Sequence, residues 1–116
     1  MIIGLLPDAA ATEALLSNLA EAEFDLRTVS VIMRDAQQRA AIAKEAGPLK
    51  GINVTELAQH LTQAGLSQHE ADAYAAAVQQ GKVFVAIDVP KSLEAAAREM
   101  LSDHAAQLIR GVSDHA

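Results

Sequence analysis

From Lys82 to Val89 the chain alternates without a break, with Val83, Val85, Ile87 and Val89 on one side and Phe84, Ala86 and Asp88 on the other. Successive side chains of a strand point to opposite faces, so this run predicts a β-strand that carries apolar groups on both sides. Met1-Ile-Ile-Gly-Leu-Leu6 is a continuous apolar run, the pattern of a strand covered on both faces. Two such strands belong in the middle of a sheet, and the rest of the chain has to supply their cover.

The segments around them fill in two strand–helix–strand units. Pro7-Asp8 opens a helix with Asp8 as its N-cap, carrying Leu15, Leu16 and Leu19 at helical spacing before Phe24. Leu26 to Met33 is rich in β-branched residues and suits a second strand, at an edge. Pro90 starts a helix with the stripe Leu93, Ala96, Ala97, Met100 and Leu101, and Gln107 to Val112 forms a closing strand.

Between the two units lie three helical segments. Asp35 caps an Ala-rich helix that should stop at Gly47-Pro48. Asn53-Val-Thr-Glu56 reads as a capping-box variant that opens a helix through Val54, Leu57, Ala58 and Leu61, closed by Gly65. In Ser67-Gln-His-Glu70 the hydroxyl and the carboxylate can satisfy each other's backbone donors, and Ala71, Tyr74, Ala75 and Val78 then form a buried stripe up to Gly81. The last two helices predict an αα-hairpin.

Right-handed crossovers in one sheet turn this order into an α+β, ferredoxin-like split βαβ sandwich. The expectation is one domain over 1–116, a four-stranded antiparallel sheet with its first and third strands central, and a helical insertion at about 35–80 between strands 2 and 3. With the two main helices on one side, the other face of the sheet needs cover. The insertion, a second copy of the chain, or both together can provide it, and we read the pattern as a homodimer in which both contribute.

Composition narrows the function classes. The 116 residues include no cysteine, which excludes thiolate metal sites, thiol nucleophiles and disulfides. Met1–Leu6 lacks a basic leader and is too short for a signal peptide, and no run reaches the roughly 18 apolar residues of a membrane span. A cytoplasmic, soluble chain without a membrane partner is the expectation. The net charge of −6 and nine scattered Lys and Arg residues argue against a nucleic-acid partner, as does the scarcity of aromatics for stacking, with only Phe24, Phe84 and Tyr74.

Chemistry-bearing residues are few. His60 and His69 lie on the two helices of the hairpin, with Glu70 and Asp72 close to the second, and are the candidate metal ligands. Nine residues across a turn match no familiar ligand spacing, so the reading as surface residues stands ahead of that one. His104 suits the negative end of the last helix and His115 a frayed tail. Tyr74 has the place of a packed aromatic whose hydroxyl finds one partner, and it is also the candidate lining of a ligand pocket between hairpin and sheet. Asp88 fits a partly exposed strand end before Pro90. No Gly-rich phosphate loop, Ser-His-Asp set or paired carboxylates appear, so no catalytic residue and no cofactor is predicted.

The stretch Ala64-Gly-Leu-Ser-Gln-His-Glu-Ala-Asp-Ala-Tyr-Ala-Ala-Ala-Val-Gln-Gln-Gly-Lys-Val-Phe-Val-Ala-Ile87 resembles the general stress protein 17M-like family, also described as low-temperature or heat-induced stress proteins. The shared features are a capped helix carrying Glu and Tyr, a glycine turn and an apolar strand. Leu93 to Leu108 is similar to that family's closing helix and its turn into the last strand. Where many relatives carry a glycine-zipper-like apolar segment, Ala36 to Gln63 here is polar and Ala-rich, which removes the membrane-contacting role. The resemblance implies a ferredoxin-like fold and a stress-related setting, with no activity attached.

These readings converge on a non-enzymatic interaction or regulatory module acting as a homodimer. A small-molecule sensor with its ligand near Tyr74 or at the dimer seam is the alternative, followed by a small dimeric α+β enzyme using a histidine.

Overall fold

In the computed structural model residues 1–42 and 53–112 are described. Strand β1 (Ile2–Leu6) leads through Asp8, whose Oδ1 accepts from the Ala11 N–H at 2.8 Å, into helix α1 (Ala9–Glu21). A 3₁₀ turn at Leu26–Thr28 precedes β2 (Val29–Ile32), so the second strand is shorter than its β-branched composition suggests. Asp25 explains why: its carboxylate accepts from the Arg27 N–H and its carbonyl from the Thr28 hydroxyl, which winds the chain before it can extend.

Helix α2 (Ala36–Ile42) starts at Asp35, whose carboxylate accepts from the Gln37 and Gln38 N–H groups. The stop expected at Gly47-Pro48 lies outside the described residues. Helix α3 spans Leu57–Gln63 and α4 Gln68–Gln79, followed by β3 (Val83–Ile87), α5 (Lys91–Asp103) and β4 (Gln107–Gly111). The Asn53–Glu56 box forms, with Glu56 N–H to Asn53 Oδ1 at 3.2 Å and Asn53 N–H to Glu56 Oε1 at 3.5 Å, but it closes a turn ahead of α3 rather than the first turn of the helix itself. Asn53 Oδ1 accepts from the Thr55 and Glu56 N–H groups and organises a turn, and the helix begins one residue after it, at Leu57. At Ser67 the full box is present, with Glu70 N–H to Ser67 Oγ at 3.1 Å and Ser67 N–H to Glu70 Oε1 at 3.2 Å.

The fold is α+β, with four antiparallel strands in the order β2-β3-β1-β4. The two all-apolar strands are the central pair, with Gly4 opposite Val85 and every residue of both buried.

Strand alternation sorts the core into two layers. Ile2, Leu6, Val83, Val85 and Ile87 pack with Leu15 and Leu19 of α1 and Ala97 and Leu101 of α5. On the opposite face Ile3, Leu5, Phe84 and Ala86 pack with Leu57 and Leu61 of α3 and Ala71, Tyr74 and Val78 of α4. Each fully buried Leu, Ile or Phe is worth roughly 1.5–3 kcal/mol of transfer free energy, so neither face could remain wet at low cost. The second face is therefore covered by the chain's own α3 and α4. The face that called for a second copy is occupied without one, and Gly4 and Ala86, in adjacent central strands, point to opposite layers. Gly4 lies under α5 and β4, where an added Cβ would meet Ile109 Cγ1 at 3.4 Å and Leu101 Cδ1 at 3.5 Å.

Candidate functional site

Strand β4 does not run straight. Ile2 and Ile3 of β1 pair with Gly111 and Arg110, but Leu5 pairs with Gln107, so β4 holds one residue more than β1 over the same interval. That is a β-bulge, and Leu108 within it has φ 53°, the left-handed region where a leucine is strained by of order 1–3 kcal/mol. Leu108 is also 54% exposed, more than Leu26 and Leu93, the other exposed large apolar residues among the described ones.

Two side chains of α4 hold this irregular strand. Residues four apart lie one above the other on a helix, which puts Glu70 and Tyr74 on the same side of α4. The Tyr74 hydroxyl donates to the Leu108 carbonyl, and Arg110 Nη1 donates to Glu70 Oε2 as an ion pair. The bulge gives one reason for the first bond: a carbonyl turned out of the ladder needs another donor. Tyr74 itself is 4% exposed, and its ring stands edge-on to Phe84 with centroids 5.6 Å apart at 90°. The reading of Tyr74 as a packed aromatic with one hydroxyl partner matches this geometry.

Between α4 and β4 runs an open groove of about 360 Å³. Ala73, Tyr74, Leu108 and Ile109 supply its apolar lining, and His69, Glu70 and Arg110 its polar lining. The pocket candidate Tyr74 thus does border a cavity, though one on the β4 edge of the sheet rather than deep between hairpin and sheet. Glu70 is held below the ordinary carboxylate range, first by the Ser67 backbone N–H, then by the Ser67 hydroxyl, and further by Arg110. Burial pushes the Tyr74 hydroxyl above its ordinary value, with Arg110 opposing and Glu70 adding to the rise.

The histidines separate. His69 is exposed and borders the groove, while His60 is half-buried on α3 and does not line it. Neither belongs to a group of three or more His, Cys, Asp or Glu side chains able to hold a metal ion among the described residues. His104 is the C-cap residue of α5, and its Nε2 lies 2.8 Å from Asn18 Nδ2, tying the ends of α5 and α1 together. Asp88 is exposed at the end of β3.

A second, smaller hollow of about 190 Å³ sits at the ends of β1 and β2, bordered by Asp8, Arg34, Asp35 and Gly81. Its two carboxylates cap α1 and α2, and its arginine donates to the Gln79 carbonyl at 3.1 Å. Its polar groups are thus engaged in holding helix ends.

Leu108 and Arg110 were not legible as site residues. The i, i+4 spacing of Glu70 and Tyr74 is the signal that could have joined them, but nothing in the sequence says that a short closing strand will lie against that side of the helix. No family model, no curated protein and no solved structure matches the chain.

Proposed function

We propose that this chain is a non-enzymatic interaction or regulatory module whose working surface is the groove between α4 and β4. The observation that carries the reading is the convergence on one edge of an exposed, strained leucine, a mainly apolar groove, and a strand held in irregular shape by two helix side chains. Strained backbone and exposed apolar surface both cost stability, and they concentrate where a protein binds something.

The ferredoxin-like assignment belongs to the same proposal. Counted from its far edge the sheet reads β4-β1-β3-β2, with the two strand–helix–strand units placing α1 and α5 on one face, which is the order of the split βαβ arrangement. The pair α3 and α4, joined by Ala64–Ser67, serves as the αα-hairpin of that reading. The kinship with general stress protein 17M-like chains, and the stress-related role it implies, rest on the residues quoted above. A homodimer now has to form through an edge or a helix surface, since both faces of the sheet are closed from within. Among the described residues no helix is long and apolar enough to cross a membrane.

The sensor reading draws support from the same groove, whose volume lies in the range that small-molecule sites occupy. An enzyme using a histidine draws less, because His60, His69 and His104 sit on three different elements and only His69 borders the groove.

Native mass spectrometry tests the proposal. The wild-type protein is expected to carry a noncovalent companion, a second copy or a smaller molecule. Ala73→Arg, which fills the groove from an exposed helix position, should lose that companion with the circular dichroism spectrum unchanged. A bare monomer in both spectra overturns the reading.

A further inference from the structure

Resting on the groove as a binding surface, we infer that its ligand is a small molecule with a carboxylate on an apolar body, the carboxylate taken by the free face of Arg110. The choice between a small molecule and an added peptide strand follows from β4 itself. Strand addition requires a regular edge, and β4 keeps regular register with β1 only over Arg110 to Val112, on one side of the bulge. A peptide would find too little ladder to extend. A compact ligand needs none, and Ala73, Tyr74, Leu108 and Ile109 offer it apolar contact in a groove of about 360 Å³.

The polar groups decide the chemistry of the ligand. Glu70 is an acceptor with both oxygens engaged, Oε1 by the Ser67 N–H and Oε2 by Arg110 Nη1. A guanidinium carries five N–H donors in a planar fork, and among the described residues Glu70 is the one acceptor bonded to that of Arg110. The Arg110 side chain is 40% exposed, so its remaining donors reach the groove and solvent. His69 adds ring nitrogens beside them. The imidazole can donate or accept, but the guanidinium's unspent capacity is donor capacity alone, which calls for an acceptor-only group on the ligand, and a carboxylate fits a guanidinium fork with two parallel bonds.

The test uses 4-phenylbutyrate and its uncharged analogue 4-phenylbutanamide, titrated into the ¹⁵N-labelled full chain. Both should shift the amides of His69, Ala73 and Leu108–Arg110, and the carboxylate should bind about tenfold more tightly, the size expected when a charge-assisted pair replaces a neutral contact. Arg110→Gln should erase the difference while leaving amide binding in place. Glu70→Gln keeps an N3 side chain able to complete the capping box but releases the guanidinium, so it should tighten the carboxylate further. Equal affinity for the two compounds, a preference that survives Arg110→Gln, or a carboxylate weakened by Glu70→Gln overturns the ligand class and leaves the groove as a binding surface. If neither compound moves the groove amides, the binding surface itself falls, and this inference with it.

Discussion

The sheet has two edges, and the chain treats them in opposite ways. β2 has all four residues, Val29–Ile32, buried: Val29 and Val31 against the α1–α5 layer, Ile32 in the α3–α4 layer, and Ser30 at 2% exposure. β4 has no fully buried residue from Gln107 to Gly111, carries a bulge, and is tied to α4 by side chains rather than drowned in the core. An edge strand exposes main-chain donors and acceptors that invite other strands, and proteins blunt it by burial or by distortion. Here β2 is blunted by burial and β4 by distortion. The difference teaches where the chain can engage a partner: burial uses up a strand's side chains, whereas a bulge held from outside leaves them on display.

The sharpest break of this comparison is a matched truncation of one apolar residue on each edge. Ile32→Ala should cost about 2–5 kcal/mol, the range for emptying a core site, while Leu108→Ala should stay within about 0.5 kcal/mol because that side chain is largely in water. Urea denaturation of both variants checks it, and equal losses would mean that β4 is as much core as β2. Next in size is Tyr74→Phe, which keeps the ring on Phe84 but withdraws the donor from the Leu108 carbonyl. A loss of about 1 kcal/mol is expected, toward 3 if no water reaches the carbonyl.

Leu108→Gly should work in the other direction. Glycine occupies positive φ at no steric cost, so thermal denaturation should show a gain of about 0.5–1 kcal/mol after the added chain entropy of the unfolded state is subtracted. The same variant should weaken binding in the groove, and a destabilised protein would show that the leucine side chain earns its place by packing alone. The smallest effect concerns pH. Glu70 titrates lower in the folded chain than in the unfolded one, so its contribution is present above the ordinary carboxylate pKa and fades as pH falls through the depressed value. Glu70→Gln should accordingly make the acid side of the stability profile shallower, as read by denaturation between neutral pH and about pH 3.

Much of this architecture could be seen in the residues. The unbroken apolar run of β1 and the alternation of β3 placed both strands at the centre, and Asp8 and Ser67 marked helix starts because a short polar side chain before an apolar stripe has few other uses. Gly65 and Gly81 marked the ends of α3 and α4, where φ is 109° and 106°. The same cap closes α1 and α5, with Phe24 N–H bonded to the Leu19 carbonyl and Ala106 N–H to that of Leu101, yet the left-handed positions hold Glu23 and Ala105. No glycine announces them, because the cost of a Cβ there is small enough for packing to override. Leu108 is hidden for the same reason: a bulge without glycine looks like ordinary strand. The groove was half legible. Tyr74 is legible on the buried stripe of its helix and Glu70 in the capping box before it, but Arg110 joins them only through the register of β1 and β4, which no local pattern encodes. The second copy expected over the sheet was inferred from an open face, and α3 and α4 close that face because their stripes of Leu57, Leu61, Ala71, Tyr74 and Val78 are themselves in need of cover.

The contrast between the edges is tested most directly by native-state hydrogen exchange on the wild-type protein and Tyr74→Phe, residue by residue. The account predicts that Ile109–Gly111 exchange through local opening of β4, faster than Val29–Ile32, which wait for global unfolding. The substitution should speed β4 by about fivefold, the equivalent of about 1 kcal/mol, while Val29–Ile32 follow only the change in global stability. Two edges equally protected in the wild-type protein, or a β4 indifferent to the lost hydroxyl, would contradict it.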